Sequence, residues 1–234
     1  MAITTTTSPV DTELERSPAA PRRIAAAAAV AVGLGLFFTV AAIDVPHGAG
    51  DAELLRWWQE KSNRTAGIVS GMAAVGVALS FPIVAGYLFQ LRRAARAPHW
   101  RYFARSMVTA VTALWLVTGA VRAAIGRFVD VSSEPLFGPD TLRLATALNY
   151  SLLGLSGMAV LSLAILSISV LVLRAQVLAR WVGYVGLACG LPMLASVIAQ
   201  YGAFTTILGV LWAFCLAVAI WRGHEDTAGD VPAQ

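Results

Sequence analysis

The chain has 234 residues, of which 58% are hydrophobic and 13% charged, and its formal net charge is +4. Soluble domains contain about 45–50% apolar and about 25% charged residues, so this composition excludes an ordinary water-soluble fold. The positive charge does not indicate a nucleic-acid-binding face, because the arginines lie between long apolar runs rather than along one polar surface. Membrane topology explains such a pattern better, and we expect no nucleic-acid partner.

Six apolar stretches are long enough to cross a hydrocarbon core about 30 Å thick, which takes roughly 20 helical residues. They predict an all-α fold, a polytopic bundle of six transmembrane helices. The predicted spans are residues 24–43, 65–90, 106–128, 149–173, 181–200 and 203–221. We expect a disordered cytoplasmic tail over residues 1–21, a transmembrane domain over 22–222 and a second cytoplasmic tail over 223–234.

The first span has a second interpretation. Paired arginines precede it, and Val40 and Ala42 satisfy the small-residue rule for cleavage of a signal peptide. The apolar run is about 20 residues long, however, where signal peptides have about 7–15, and the preceding tail carries acidic residues. We therefore expect an uncleaved transmembrane helix. Cleavage would leave five spans in the same orientation.

The segment Asp51–Lys61, between the first two spans, has the pattern of a short amphipathic helix. Leu54, Leu55 and Trp58 share one helical face. We expect this helix to lie at the membrane interface with Trp57 and Trp58 at headgroup depth, where aromatic rings are enriched.

The placement of basic residues predicts the orientation. Five arginines stand between the second and third spans without an acidic residue: Arg92, Arg93, Arg96, Arg101 and Arg105. With both termini in the cytoplasm, eleven of the 17 Lys and Arg face inward, which obeys the positive-inside rule. Arg in place of Lys and abundant Ala are associated with GC-rich bacterial genomes, so we expect a bacterial inner membrane. The five arginines also attract anionic lipids, although topology alone would explain them.

The second and fifth spans share a pattern that includes one proline each. Residues 76–86 and 186–196 are identical at four of eleven positions, among them Pro82 and Pro192. Leu114-Trp115 and Leu211-Trp212 also align in the third and sixth spans. Two three-helix halves of inverted topology would produce these matches, as in carriers whose proline-broken helices form the substrate site. Coincidence within a restricted membrane alphabet is the alternative.

Arg122 is the charged residue that lies well inside a predicted span. A buried arginine is costly, so we expect it to face the bundle and find partners. The residues expected at the same depth are Asp44, Asn149, Gln200 and Tyr201. We predict that they form an outward-facing polar pocket with Arg122, with snorkelling to the interface or a structural ion pair as the alternatives.

Catalytic and metal motifs are not recognisable. The segment Gly154–Gly157 (Gly-Leu-Ser-Gly) resembles the Gly-x-Ser-Gly of rhomboid proteases, but His47, His99 and His224 all lie outside the spans, where they cannot activate a serine. The same placement argues against a haem or metal site, and the acidic residues, also outside the spans, form no proton relay. We expect no cofactor and no enzymatic activity, and attribute the small residues to helix packing.

The order of features resembles a family of six-helix bacterial integral membrane proteins, common in actinobacteria, that carry a domain of unknown function. The features are a first spanning helix, the acidic and aromatic stretch Glu53–Lys61, an arginine-rich inner loop, and Arg180–Gly186 (Arg-Trp-Val-Gly-Tyr-Val-Gly) opening the fifth span. The resemblance covers most of residues 22–222. It implies the six-helix fold and lends no established activity.

Together these patterns favour a non-enzymatic, membrane-embedded interaction or small-molecule-binding module. Membrane lipids and a second copy or another membrane protein are the expected partners. The alternative is a small carrier or permease for an apolar or anionic solute, using Pro82, Pro192 and Arg122. A cavity that reaches the prolines from one side would favour the carrier, and a solid core would favour the module.

Overall fold

A computed structural model describes residues 19–42, 45–46 and 50–223. In these ranges the chain forms helices and turns and no strand, and six helices are long and apolar enough to cross a membrane, as predicted. The spanning helices are α1 (Ala19–Ala41), α3 (Lys61–Gln90), α4 (Pro98–Asp130), α5 (Pro139–Ala175), α6 (Arg180–Ile198) and α7 (Thr206–Arg222), and α2 (Asp51–Gln59) is short. Most of both predicted tails lies outside the described residues.

Two spanning helices, α4 and α5, begin well before the predicted spans. Helix α4 begins at Pro98, before the span predicted from residue 106, and α5 begins at Pro139, before the span predicted from residue 149. Proline suits the first turn of a helix because the amide that it lacks would have no partner there. Hydropathy identifies only the part of a helix that lies in hydrocarbon, whereas such start signals determine where the helix begins.

The spanning helices form a ring in chain order. Each packs against the next, and α7 closes the ring by packing against α1. One continuous apolar core joins them, and its largest side chains are less than 2% exposed, among them Phe81, Trp115, Met193 and Trp212. The interior of the bundle is therefore solid at the level of these residues.

Alternate loops meet at each end of the bundle. Arg93 Nη1 donates a hydrogen bond to the Gln176 carbonyl oxygen over 3.4 Å, which joins the α3–α4 loop to the α5–α6 loop. We call this the basic end, because the arginine-rich loop lies there. At the opposite end, Arg143 Nη2 pairs with Asp51 Oδ1 over 2.5 Å and links α5 to α2. The assignment of the basic end to the cytoplasm stays a prediction of the positive-inside rule.

Helix α2 forms where the amphipathic pattern predicts it, but its apolar face is covered by protein. Trp58 is only 3% exposed, and with Leu54 it packs against Val45, Ile125 and Leu142. The ring of Trp57 contacts Trp58 edge-on, with 4.8 Å between centroids. The periodicity identified the apolar face of α2 but not what covers it, and the headgroup depth of Trp57 and Trp58 stays a prediction.

Glycines bring α3 and α4 into close contact in the half nearer the opposite end. A Cβ atom on Gly119 would lie 2.7 Å from the Gly71 carbonyl oxygen, and one on Gly126 would lie 2.6 Å from that of Arg64. On α6, a Cβ on Gly190 would lie 2.8 Å from Leu166. These glycines therefore form helix-packing faces within the bundle.

The two halves of the chain place their matching residues differently. Trp115 Nε1 donates to the Gly157 carbonyl of α5 over 3.3 Å, whereas the Trp212 ring lies 6.1 Å from that of Phe81 on α3. In an inverted repeat α4 corresponds to α7 and α5 to α1. The contact of Trp115 with α5 would then be matched by a contact of Trp212 with α1. Pro82 is half-buried and Pro192 is exposed. Side chains do not decide how the two backbones are related, so the repeat stays a prediction.

The substitution Gly119→Ala is expected to push α3 and α4 apart. We predict that it lowers the free energy of unfolding by about 1–3 kcal/mol, the usual cost of overpacking, measured by SDS-induced unfolding in mixed micelles. Gly76→Ala on α3 is the matched control, because a Cβ there meets nothing within 4 Å. Equal stability of the two variants would contradict close packing at Gly119.

Candidate functional site

Arg122 points into the bundle. It lies on α4, about two turns before the helix ends at Asp130, and is 5% exposed. Its side chain is therefore packed among the helices rather than extended to the interface. This position agrees with the expectation that a cation at membrane depth turns toward protein.

The guanidinium of Arg122 connects four helices. Its Nε donates to Ser70 Oγ on α3 over 2.6 Å, Nη1 to Asn149 Oδ1 on α5 over 3.0 Å, and Nη2 to the Thr39 carbonyl oxygen on α1 over 2.8 Å. The Ser70 hydroxyl donates in turn to the same Thr39 carbonyl, over 2.7 Å. We refer to Thr39, Ser70, Arg122 and Asn149 as the arginine network.

Uncharged dipoles compensate the cation in this network. Thr39 lies in the last turn of α1, which ends at Ala41, and the carbonyls of a last turn point out of the end of the helix. They also form the negative end of the helix dipole, which stabilises a nearby cation. The Thr39 carbonyl thus accepts from the buried guanidinium and from the Ser70 hydroxyl.

The structure brings one predicted partner, Asn149, to Arg122. Asp44 lies outside the described residues. Gln200 and Tyr201 form the turn between α6 and α7, where both are exposed, Tyr201 by 64%. The Tyr201 ring lies beside Phe204 on the bundle surface, so these two side chains do not enter the arginine network.

Sequence reasoning missed the other members of the arginine network. Ser70 carried a usable signal, because it is a polar residue inside an apolar span at a depth that α4 could match. Thr39 contributes its backbone carbonyl. No residue type encodes that contribution, and it follows only from where α1 ends.

Helix α5 widens into a π-helix over Ser151–Gly157, directly after Asn149. This segment contains the Gly-Leu-Ser-Gly sequence. Gly157 lies against the ring of Trp115, which donates to its carbonyl, and Gly154 lies beside Gly202. The small residues thus serve helix contact, and His99 lies at the start of α4, at the basic end. Among the described residues no group of three potential metal ligands occurs.

A cleft separates α3 and α4 at the basic end. It encloses about 440 Å³. Its lining comes from the last turns of α3 and the first turns of α4: Pro82, Ala85, Gly86, Phe89, Gln90, Arg101, Tyr102, Arg105, Val108 and Thr109. We refer to it as the α3–α4 cleft.

The α3–α4 cleft has an apolar floor and a basic mouth. Ala85 and Val108 on the floor are 1% and 5% exposed. Arg101 and Arg105 stand one turn apart on the same face of α4. Between Lys61 and Val129 the sequence contains no acidic residue, so neither helix supplies a carboxylate to these arginines.

Two local features explain why the helices part at this end. The close contacts of α3 and α4 at Gly71, Gly119 and Gly126 lie in the half farther from the basic end. Pro82 inside α3 cannot donate a backbone hydrogen bond, and its ring crowds the preceding turn, which bends helices. The predicted kink residue thus lies at the inner end of the cleft. The sequence showed the proline and the arginines but not that they share a cavity.

No protein-family model, curated protein or solved structure matches this chain. The resemblance to a family with a domain of unknown function therefore stays an expectation.

Removing one acceptor from the arginine network should leave a buried cation short of a partner. We predict that Ser70→Ala lowers the free energy of unfolding by about 1–3 kcal/mol, measured by SDS-induced unfolding. Ser106→Ala is the matched control, since that exposed hydroxyl bonds only within its own helix, to Tyr102, and the change should stay within about 0.5 kcal/mol.

A double-mutant cycle identifies the origin of this loss. In an Arg122→Met background, Ser70→Ala should cost clearly less, because no guanidinium then needs the hydroxyl. Equal costs in both backgrounds would show that Ser70 stabilises the fold independently of Arg122.

Proposed function

We propose that this integral, multi-pass membrane protein is a non-enzymatic small-molecule-binding module that takes an apolar or amphipathic ligand from the lipid into the α3–α4 cleft. The cleft is the observation that carries the proposal. Its volume of about 440 Å³ falls within the range of about 300–1,000 Å³ typical of ligand sites. A mostly apolar lining with a few convergent polar groups is the usual composition of such sites.

The arginine network is a weaker candidate for the ligand site. Each nitrogen of the Arg122 guanidinium already donates to a protein oxygen, and the residue is 5% exposed. A ligand there would have to displace bonds that join four helices. We therefore assign the network a structural role.

A carrier is the second candidate, because the cleft reaches Pro82 from one side. Transport would also require a path past the Gly71–Gly119 contact toward the opposite end, and the core around Trp115 and Trp212 is filled. Pro192, the counterpart of Pro82, lies exposed on α6. These features favour a module with a site at one end. In this proposal the basic end faces the cytoplasm, as the positive-inside rule predicts.

A cleft-filling substitution tests the proposal. Gly86→Phe should occupy the cleft without disturbing the helix contact, because a Cβ on Gly86 meets nothing within 4 Å. In lipid nanodiscs, a neutral monoacylglycerol with a photoactivatable diazirine in its chain should label peptides within residues 82–109 of the wild type. Labelling should fall about tenfold in the variant, equivalent to about 1.4 kcal/mol of binding energy.

Gly76→Phe is the matched control for this experiment. Gly76 lies on the same helix and also has open space around a Cβ atom, but it does not line the cleft. It should leave the labelling unchanged. Labelling spread evenly over the lipid-facing surface, and equal in both variants, would contradict a binding site in the cleft.

A further inference from the structure

We infer that the ligand of the α3–α4 cleft is an anionic lipid of the bilayer. Its acidic headgroup would lie at Arg101 and Arg105, and its acyl chain would extend along Gly86 to Pro82. This inference rests on the proposed function and adds the chemical class of the ligand.

The charge at the cleft mouth selects for an anion. Arg101 and Arg105 converge on one face of α4, and the sequence from Lys61 to Val129 offers them no carboxylate. The guanidinium group presents a planar fork of donors that fits phosphate or carboxylate oxygens in pairs. Two such forks one turn apart suit one acidic headgroup better than a neutral one.

The depth of the cleft selects for a lipid rather than a soluble anion. Along α3 the lining runs from Gln90 to Pro82, a separation of eight residue steps that rises about 12 Å at 1.5 Å per step. Ala85, Gly86 and Val108 make this stretch apolar. A free phosphate would gain nothing from that surface, whereas an acyl chain attached to the headgroup would cover it.

Aromatic residues place the mouth of the cleft at headgroup depth. Trp100 and Tyr102, in the first turns of α4, are 38% and 59% exposed. Tryptophan and tyrosine concentrate at the membrane–water interface. The guanidinium of Arg101 lies 5.7 Å from the Tyr102 ring centroid, so the cations of the mouth stand at the same level as the interfacial ring.

Topology alone does not require arginines inside the cleft. Arg92 and Arg96 belong to the same basic loop, are exposed and do not line the cavity. Arg92 and Arg96 contribute to the positive-inside signal as well as Arg101 and Arg105 do. This difference in position within one loop gives the inference its matched control.

The test compares two photoactivatable lipids in nanodiscs, a phosphatidylglycerol and a phosphatidylcholine with the same diazirine-bearing chain, mixed in equal amounts. Wild-type protein should show roughly tenfold more labelling of cleft peptides by the acidic probe. The double variant R101Q/R105Q should reduce that ratio to about one. The double variant R92Q/R96Q, which removes the same charge from the same loop, should keep it.

An equal loss of the acidic-lipid preference in the two double variants would overturn the inference. It would mean that the basic loop attracts acidic lipids by its total charge and not at the cleft. Labelling of the cleft by both lipids without preference in the wild type would overturn it too, while leaving the proposed function intact. If neither lipid nor the neutral monoacylglycerol labels the cleft, the proposed function itself fails. Inorganic phosphate at millimolar concentration should not compete; competition would point to a soluble anion and reject a lipid.

The variant Gly86→Phe tests the same inference without removing a charge. Its result cannot be attributed to altered membrane insertion of a less basic chain. Gly86→Phe fills the acyl part of the cleft and should abolish the preference for the acidic probe. Persistent acidic labelling of the same peptides in this variant would overturn the inference.

Discussion

The close contact of α3 and α4 in one half of their length is the constraint on which the rest of the structure depends. Gly71 and Gly119 let the two backbones touch. In the same half, Arg122 ties both helices to α1 and α5. With that half held, the bend expected at Pro82 separates the other halves and forms the cleft. In the proposed function, one end of this helix pair stabilises the fold and the other end binds the ligand.

Among the residues that the structure describes, the acceptors around Arg122 are uncharged. A charged side chain in hydrocarbon costs several kcal/mol unless polar groups surround it. Here a backbone carbonyl in the last turn of α1, a serine hydroxyl and an asparagine amide oxygen supply them. Each of these groups would also be costly if it were buried alone. Hydrogen bonds at this one point join four helices. They fix the relative positions of the helices more specifically than apolar packing alone would.

Much of the fold could be predicted from the sequence, because the bilayer imposes it. Backbone amides in hydrocarbon must bond within their own helix, so long apolar runs predict spanning helices directly. The amphipathic helix α2 and the packing role of the glycines were predicted for similar reasons. The start of α4 was not predicted, since a proline and not hydropathy determines where that helix begins.

The candidate site was much harder to predict. Lipid and protein core are both apolar, so a spanning helix such as α3 shows little contrast between its faces, and its rotation cannot be read from periodicity. Asn149 was predicted as a partner of Arg122 because depth alone suggested it. The Thr39 carbonyl, the π-helix after Asn149 and the shared cavity of Pro82 with Arg101 depend on packing. Gln200 and Tyr201 were chosen by the same argument from depth, but their side chains lie on the surface and not toward Arg122.

The most direct test of this account is an electron cryomicroscopy structure of the chain in nanodiscs that contain acidic lipid, with an antibody fragment bound to make the particle large enough. The account predicts that α3 and α4 touch at Gly71 and Gly119 and part toward the basic end. It also predicts elongated density from Pro82 to a headgroup beside Arg101 and Arg105. Helices closed against each other along their whole length, with Gly86 packed on α4 and no density between them, would contradict it.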